Sequence, residues 1–410
     1  MKILCVFGEH NYGDPSRGQG YEYTNFIPAL RRLGNEVVFF ESLNKGLYDG
    51  FTDLNLSFLK AVEREQPDII LCVLTTYELW TETMEMVRNG CDAALVNWST
   101  DDSWKYEQFS RFLSPSFHLY ATTYRTALLK SQGEGQSNFV LTQWAANAET
   151  LSEPLKAKEC RYQVSFIGSA YGNRTRWIDD LKRNGIHVDC FGHGWRNGPV
   201  DALEIPRIMR ESVMCLNFAD SGFVVQGLRP QRSRQIKARV FEVTGAGGFL
   251  ITENTDDIDR YFIPGEEIVI FEGIRDAVEK IRLFLSHPDD RDRIAWAGFE
   301  RTRREHTYDI RFRKLLDVIG KERNSDQVPA TKKSFRIDYE KFADLERLHQ
   351  KGSELRFLRS LVTYPCVVLW GARRGPRAAR RFMFELSWRF FGRKTYSAAG
   401  WPGRMFYSES

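Results

Sequence analysis

This chain has no cysteine pair at CxxC spacing, no apolar run approaching the ~20 residues a bilayer span requires, and no dinucleotide fingerprint around Gly18-Gln-Gly20. Its seven cysteines are an odd number, and Cys5, Cys72, Cys190 and Cys215 sit inside apolar runs. They read as buried thiols of a cytosolic protein, not as a disulfide framework or a metal site. The adjacent Asp101 and Asp102 are too little for a cation, so neither a metal nor a cofactor is expected. The opening MKILCVFGEHNYG lacks a small-residue cleavage site and reads as a first strand rather than a signal peptide. Large net charge is also missing: the formal value is +4. It is unevenly spread, because residues 351–410 hold twelve Lys or Arg against three acids. A mildly acidic body with a basic tail argues against a general nucleic-acid binder.

What is present describes a folded globular protein, with 42% hydrophobic and 13% aromatic residues. At 410 residues it is too long for one ordinary core. The first forty residues have a βαβ pattern: an apolar strand over 3–7, a glycine-bearing loop, a helix over 23–33 closed by Gly34, and a strand over 36–40. Strands over 68–73, 93–97, 119–121 and 139–141 alternate with helices. After an irregular stretch over 142–162 a second series begins, with strands over 164–168, 188–191, 214–218 and 267–271. Near-continuous apolar strands between helices indicate parallel sheets covered on both faces. The expected fold class is therefore α/β: two Rossmann-like domains, 1–150 and 160–320, facing across a cleft, plus a basic helical extension over 335–410. Open α/β sheets bind ligands at their strand carboxyl ends.

Residues 237–253, KARVFEVTGAGGFLITE, carry the clearest chemistry. They read as a helix with one acid, a glycine turn and a buried strand. Gly247 and Gly248 would present bare backbone to phosphate, with Arg234, Lys237 and Arg239 as cations. Glu242 can accept hydrogen bonds from ribose hydroxyls. Arg174 and Arg176 fall in the first turn of a helix after the strand over 164–168, where cations oppose the dipole unless an anion binds. In the first half, Asp101 or Asp102 follows a buried strand, beside Trp98 and Trp104. One of them can serve as a general base or sugar anchor, and helix capping competes for the same acids. His10 and Asp14, in the loop after the first strand, are further candidates for the base that deprotonates an acceptor hydroxyl.

At these residues the chain resembles glycosyltransferases of the two-Rossmann (GT-B) architecture, in particular the CgeB-like, spore-maturation-protein-like group. The resemblance spans roughly residues 1–320. It is carried by FIGSAYGNRTRWIDDL, KARVFEVTGAGGFLITENTDDIDRYFIPGEEIVIF and WAGFERTRREHTYDIRFRKLL, and by GYEYTNFIPALRRLGNEVVFFE and VNWSTDDSW. It implies metal-independent hexosyl transfer from a nucleotide-diphosphate sugar to a glycan or lipid-linked hydroxyl. Glu242 matches the donor-ribose acid of these enzymes, and Arg174 with Arg234, Lys237 or Arg239 the diphosphate-binding pair. Asp101 or its neighbour matches the residue facing the donor sugar. Relatives often carry a second acid where this chain has Arg234. Two other readings stay open: a nucleotide-sugar epimerase on the same architecture, and a non-catalytic carbohydrate-binding or assembly protein.

The tail joins an apolar stretch over 361–370, an arginine-dense one over 371–381 and an aromatic one over 382–391. Arginine-rich helices with Trp and Phe suit an anionic membrane surface, at the inner face of the plasma membrane. The alternative is that the tail packs back on the domains and its aromatics are core.

Overall fold

The computed structural model describes residues 1–226, 229–325, 333–350, 353–407 and 409. They divide into two compact units, Met1–Thr142 with Asp317–Ser410, and Gln143–Leu316.

The first unit is built on a six-stranded parallel sheet: β1 (Lys2–Phe7), β2 (Glu36–Glu41), β3 (Ile69–Cys72), β4 (Ala94–Ser99), β5 (Leu119–Thr122) and β6 (Phe139–Leu141). The strand order is β2-β1-β3-β4-β5-β6, with Ile3 opposite both Val37 and Ile69. Ile3 to Phe7 are all buried because β1 is central and covered on both faces. Helices Tyr21–Arg32, Phe51–Glu65 and Thr81–Gly90 supply the cover.

The second unit contains β7 (Tyr162–Ile167), β8 (Asp189–Phe191), β9 (Ser212–Asn217), β10 (Asp220–Gln226), β11 (Arg229–Arg234), β12 (Leu250–Glu253) and β13 (Val269–Phe271). Five of these form a parallel sheet in the order β13-β12-β9-β7-β8. The other two, β10 and β11, pair as an antiparallel hairpin that the sequence pattern does not announce. Arg291 is fully buried in this unit, donating to the carbonyls of Val213, Leu155 and Ser212 at 2.7–2.9 Å. The four cysteines expected inside strands are buried and free.

The region 335–410 differs most from expectation. It is not a separate extension. Phe335, Ile337, Phe342, Leu345, Tyr396 and Ala398 lie in one core cluster with Phe58, Trp80, Val87 and Leu95 of the first unit. Gln66 and the Phe335 backbone exchange two hydrogen bonds, at 2.8 and 2.9 Å. Phe342 stacks on Trp80 at 6.1 Å, and the Tyr77 hydroxyl donates to the Ser397 carbonyl. The region's helices are Tyr339–His349 and a second helical segment, Ser353–Phe391. The stretch between the two α/β series and this region continues as helix through Ser325, and residues 326–332 lie outside those described.

Candidate functional site

In the second unit the chain steps outward from β7 to β8, then back past β7 to β9. The crossovers therefore diverge at the carboxyl ends of β7 and β9, the place where such sheets bind ligands. The loop after β7 is braced by the loop after β8. A Cβ on Gly192 would lie 2.6 Å from the Gly168 carbonyl oxygen, and Trp195 Nε1 donates to that oxygen at 2.7 Å. Arg174 opens helix Arg174–Arg183, but its guanidinium folds back over the loop. It donates to Ser169 O at 3.0 Å and Tyr171 Oη at 3.2 Å, and lies 4.0 Å from the Tyr171 ring centre. Arg176 is exposed, 3.8 Å from Asp180.

The β10–β11 hairpin brings two more arginines to this edge. Arg232 lies 3.6 Å from Asp220 and against Gly172, where a Cβ would sit 2.6 Å from its Nη1. Gly172 also has φ +66°, so two constraints favour glycine there. Arg234 meets Glu253 at 2.9 Å. Glu253 is buried at the end of β12 and accepts the Ala219 amide at 3.0 Å; burial pushes its carboxyl above the usual range. The Arg234 side chain stays 54% exposed and borders a cavity of about 720 Å³, lined also by Asn254, Thr255, Asp256 and Glu272.

Helix Ala238–Gly245 carries Glu242, half-buried and 3.3 Å from Arg239 one turn earlier, with Lys237 at the N-cap. The reading of Gly247 and Gly248 is corrected. Both are buried, and their amides donate to Thr244 O at 3.2 Å and Val243 O at 2.8 Å. They cap the carboxyl end of the helix, the end whose dipole repels anions. A Cβ on Gly247 would meet Ser152 O at 2.4 Å, and one on Gly248 would meet Met209 O at 2.8 Å. These glycines admit neighbouring backbone rather than phosphate.

The first unit diverges in the same way at β1 and β3. Of the two adjacent acids after β4, Asp102 is structural. It is buried and accepts hydroxyl bonds from Ser99, Ser110 and Thr122, at 2.5–2.7 Å. Asp101 is half-buried at the start of helix Asp102–Lys105. It lies near Glu22, whose carboxyl is raised by burial first and by the Asp101 charge second. Lys105 donates to Thr75 O in the loop after β3 and is pulled below its ordinary pKa by burial. Glu78 clamps that loop, accepting the Thr75 and Thr76 amides at 2.9–3.1 Å. Arg380, from the C-terminal region, donates to Thr76 Oγ1 at 3.3 Å. Burial pushes Lys45 down to about 8.

His10 and Asp14 lie in the loop after β1. Asp14 is exposed and caps a turn, accepting from Ser16 N and Oγ at 3.0 and 2.7 Å. These bonds, and then Arg17, lower its pKa, which makes it a poor base. His10 is half-buried and gathers with Glu9 and Glu41, but Glu41 already accepts the amides of Glu9, Leu43 and Asn44 at 2.6–3.0 Å. Sequence reasoning missed Arg232, Glu253, Glu22 and Lys105. Lys105 was within reach, closing the short helix that begins just after Asp101. Arg232 was not, because its place depends on an unannounced hairpin.

Residues 174–317 match the family described as glycosyl transferase-like. No curated protein matches the chain. Among solved structures, the sucrose-phosphate synthase of Thermosynechococcus elongatus is similar with TM-score 0.55 and 11% identity, over 80% of this chain and 100% of that one. HepE from Anabaena, in complex with UDP-glucose, is similar with TM-score 0.52 and 12% identity, over 78% and 100%. The lipopolysaccharide outer core galactosyltransferase WaaB is similar with TM-score 0.51 and 11% identity, over 78% and 100%. The fold is that of the GT-B glycosyltransferases, two parallel-sheet α/β domains, with a helical C-terminal region.

Proposed function

We propose that this chain is a metal-independent glycosyltransferase of the CgeB-like kind. It moves a hexosyl group from a nucleotide-diphosphate sugar to a hydroxyl of an envelope, spore or lipid-linked glycan. The observation that carries the reading is the coincidence of two features. The stretch matching the glycosyl transferase-like family, 174–317, is also the one that gathers Arg174, Arg232 and Arg234 at the diverging carboxyl edge of its sheet. In this reading Glu242 holds the donor ribose, with Arg239 fixing its rotamer. Arg174, Arg232 and Lys237 neutralise the departing diphosphate electrostatically. Asp101, beside Lys105, is the first choice for sugar anchor or base, with His10 the second. The proposed setting is the cytoplasm, peripheral at the inner face of the plasma membrane.

A thermal-shift screen of nucleotides and nucleotide sugars tests the donor half. UDP and UDP-glucose come first, since HepE is held with them. A ligand at 100 times its Kd stabilises by about 2.7 kcal/mol. Unchanged nucleotide binding in Glu242→Ala would overturn the ribose assignment. Release of a free altered sugar without any acceptor would reassign the chain to epimerisation.

A further inference from the structure

The segment Ser353–Phe391 is a helical hairpin. At Gly371 the backbone turns to φ +77°, which ends the first leg. Val367 and Gly375 stand four residues to either side, and a Cβ on Gly375 would fall 2.5 Å from Val367 Cα. The legs therefore touch backbone to backbone beside the tip. Their facing sides are already used: Leu355, Leu358, Val362 and Cys366 pack against Ala379, Met383, Met405 and Phe406.

The first leg carries a second apolar stripe. Phe357, Leu361, Tyr364 and Val368 recur at helical spacing and are 60–74% exposed, and Leu369 and Trp370 carry the stripe to the tip. A continuous exposed apolar face of this size marks a docking surface. Its surroundings identify the occupant. The hairpin holds eight arginines against two acids, Glu354 and Glu385. Arg373, Arg374, Arg377 and Arg381 are exposed, and no acid among the described residues pairs with them. Apolar and aromatic side chains at a tip, followed at once by unpaired arginines, match the boundary between acyl chains and anionic headgroups. A second copy of the chain fits less well, because the arginine-rich tips would repel one another. No helix among the described residues is long and apolar enough to cross a membrane, so the hairpin would lie in the interface.

We propose that the Gly371 tip and the outer stripe of this hairpin dock the protein on an anionic lipid bilayer. The proposal names the membrane-facing element and stands apart from the sugar-transfer reading, since lipid binding needs no donor.

Co-sedimentation of the full chain with vesicles tests it, using phosphatidylglycerol mixed with phosphatidylcholine against phosphatidylcholine alone, without nucleotide. The mixed vesicles should bind and the neutral ones should not, with binding weakened by salt. Arg373→Glu with Arg374→Glu should cut partitioning by at least roughly 30-fold, the equivalent of about 1 kcal/mol per arginine. Leu369→Glu with Trp370→Glu should abolish it. Melting temperatures should not change, because all four side chains face solvent. Equal partitioning of wild type and variants, or equal binding to both vesicles, overturns the proposal. So does a dimer in sedimentation velocity that the Leu369→Glu, Trp370→Glu variant breaks while wild type ignores vesicles. Nucleotide thermal shifts on the same variants keep the two readings separable: lost vesicle binding with a retained shift concerns the hairpin alone.

Discussion

The two sheets are wound alike, yet their carboxyl edges are furnished differently. In each, the chain steps outward from the first strand and then returns past it, so the same divergence point exists twice. In the first unit a buried acid at that edge, Asp102, is saturated by three hydroxyls, and the C-terminal region adds Arg380 nearby. In the second unit the corresponding buried acid, Glu253, binds one amide and one half-exposed arginine beside a cavity. The winding supplies a place for a ligand twice. Whether the acid there organises loops or presents a cation outward depends on what lies within 3 Å of it.

The largest test of the contrast removes the element that only the first unit has. A chain ending before Phe335 should lose the fold of the first unit. Each large apolar side chain withdrawn from the core costs about 1.5–3 kcal/mol, so the loss of Phe335, Ile337, Phe342, Leu345 and Tyr396 is comparable to the roughly 5–15 kcal/mol that holds a domain. Circular dichroism melting should show one transition missing. Two intact transitions would mean that the C-terminal region is an attachment after all.

Next in size, Asp102→Ala should destabilise the first unit by about 3 kcal/mol, since three buried hydroxyls lose their acceptor. The readout is the denaturant midpoint, with donor binding unaffected. A loss of activity at unchanged stability would move Asp102 from loop organiser to reacting group.

The second unit has its own buried titrating group. His306 accepts from Arg311 at 3.0 Å through Nδ1 and so donates through Nε2 to Tyr261 O at 2.7 Å. Burial first, then the Arg311 charge, pushes its pKa down to about 4. The unfolded chain, at the ordinary value near 6.5, therefore binds the extra proton between pH 6.5 and 4. Stability is full above pH 6.5 and falls with acidification, by about 2 kcal/mol at pH 5. His306→Phe should flatten this window for the second unit's melting transition. An unchanged pH slope in that variant would assign the acid sensitivity elsewhere.

The smallest expected effect is the most specific to the proposed donor edge. Arg232→Ala should weaken nucleotide-diphosphate binding about tenfold, near 1.4 kcal/mol, with stability within about 0.5 kcal/mol of wild type. Equal affinity would remove Arg232 from the edge's working cations.

Several of these residues could not be weighed from the sequence. The apolar runs of β1, β3, β4, β7, β9 and β12 were legible because a strand buried on both faces must be apolar throughout. The helix that carries Glu242 was legible because a short apolar-faced run ends at a glycine turn before a buried strand. Gly247 and Gly248 were misread because glycine admits any close neighbour, and the sequence does not say whether that is phosphate or the Ser152 carbonyl. The stripe Phe357, Leu361, Tyr364 and Val368 has the same periodicity as Leu355, Leu358 and Val362, and pattern alone does not tell the packed face from the bare one.

The chain's local patterning therefore set the class of fold, the two αβ series and the position of the acid-bearing helix, since periodicity and capping act within a few residues. Partnership between distant segments was decided only by tertiary structure. Phe335 meeting Gln66, Arg234 meeting Glu253 and Arg380 meeting Thr76 each join positions that share no local signal. A side chain's chemistry follows from what surrounds it, and those surroundings come from parts of the chain that meet only on folding.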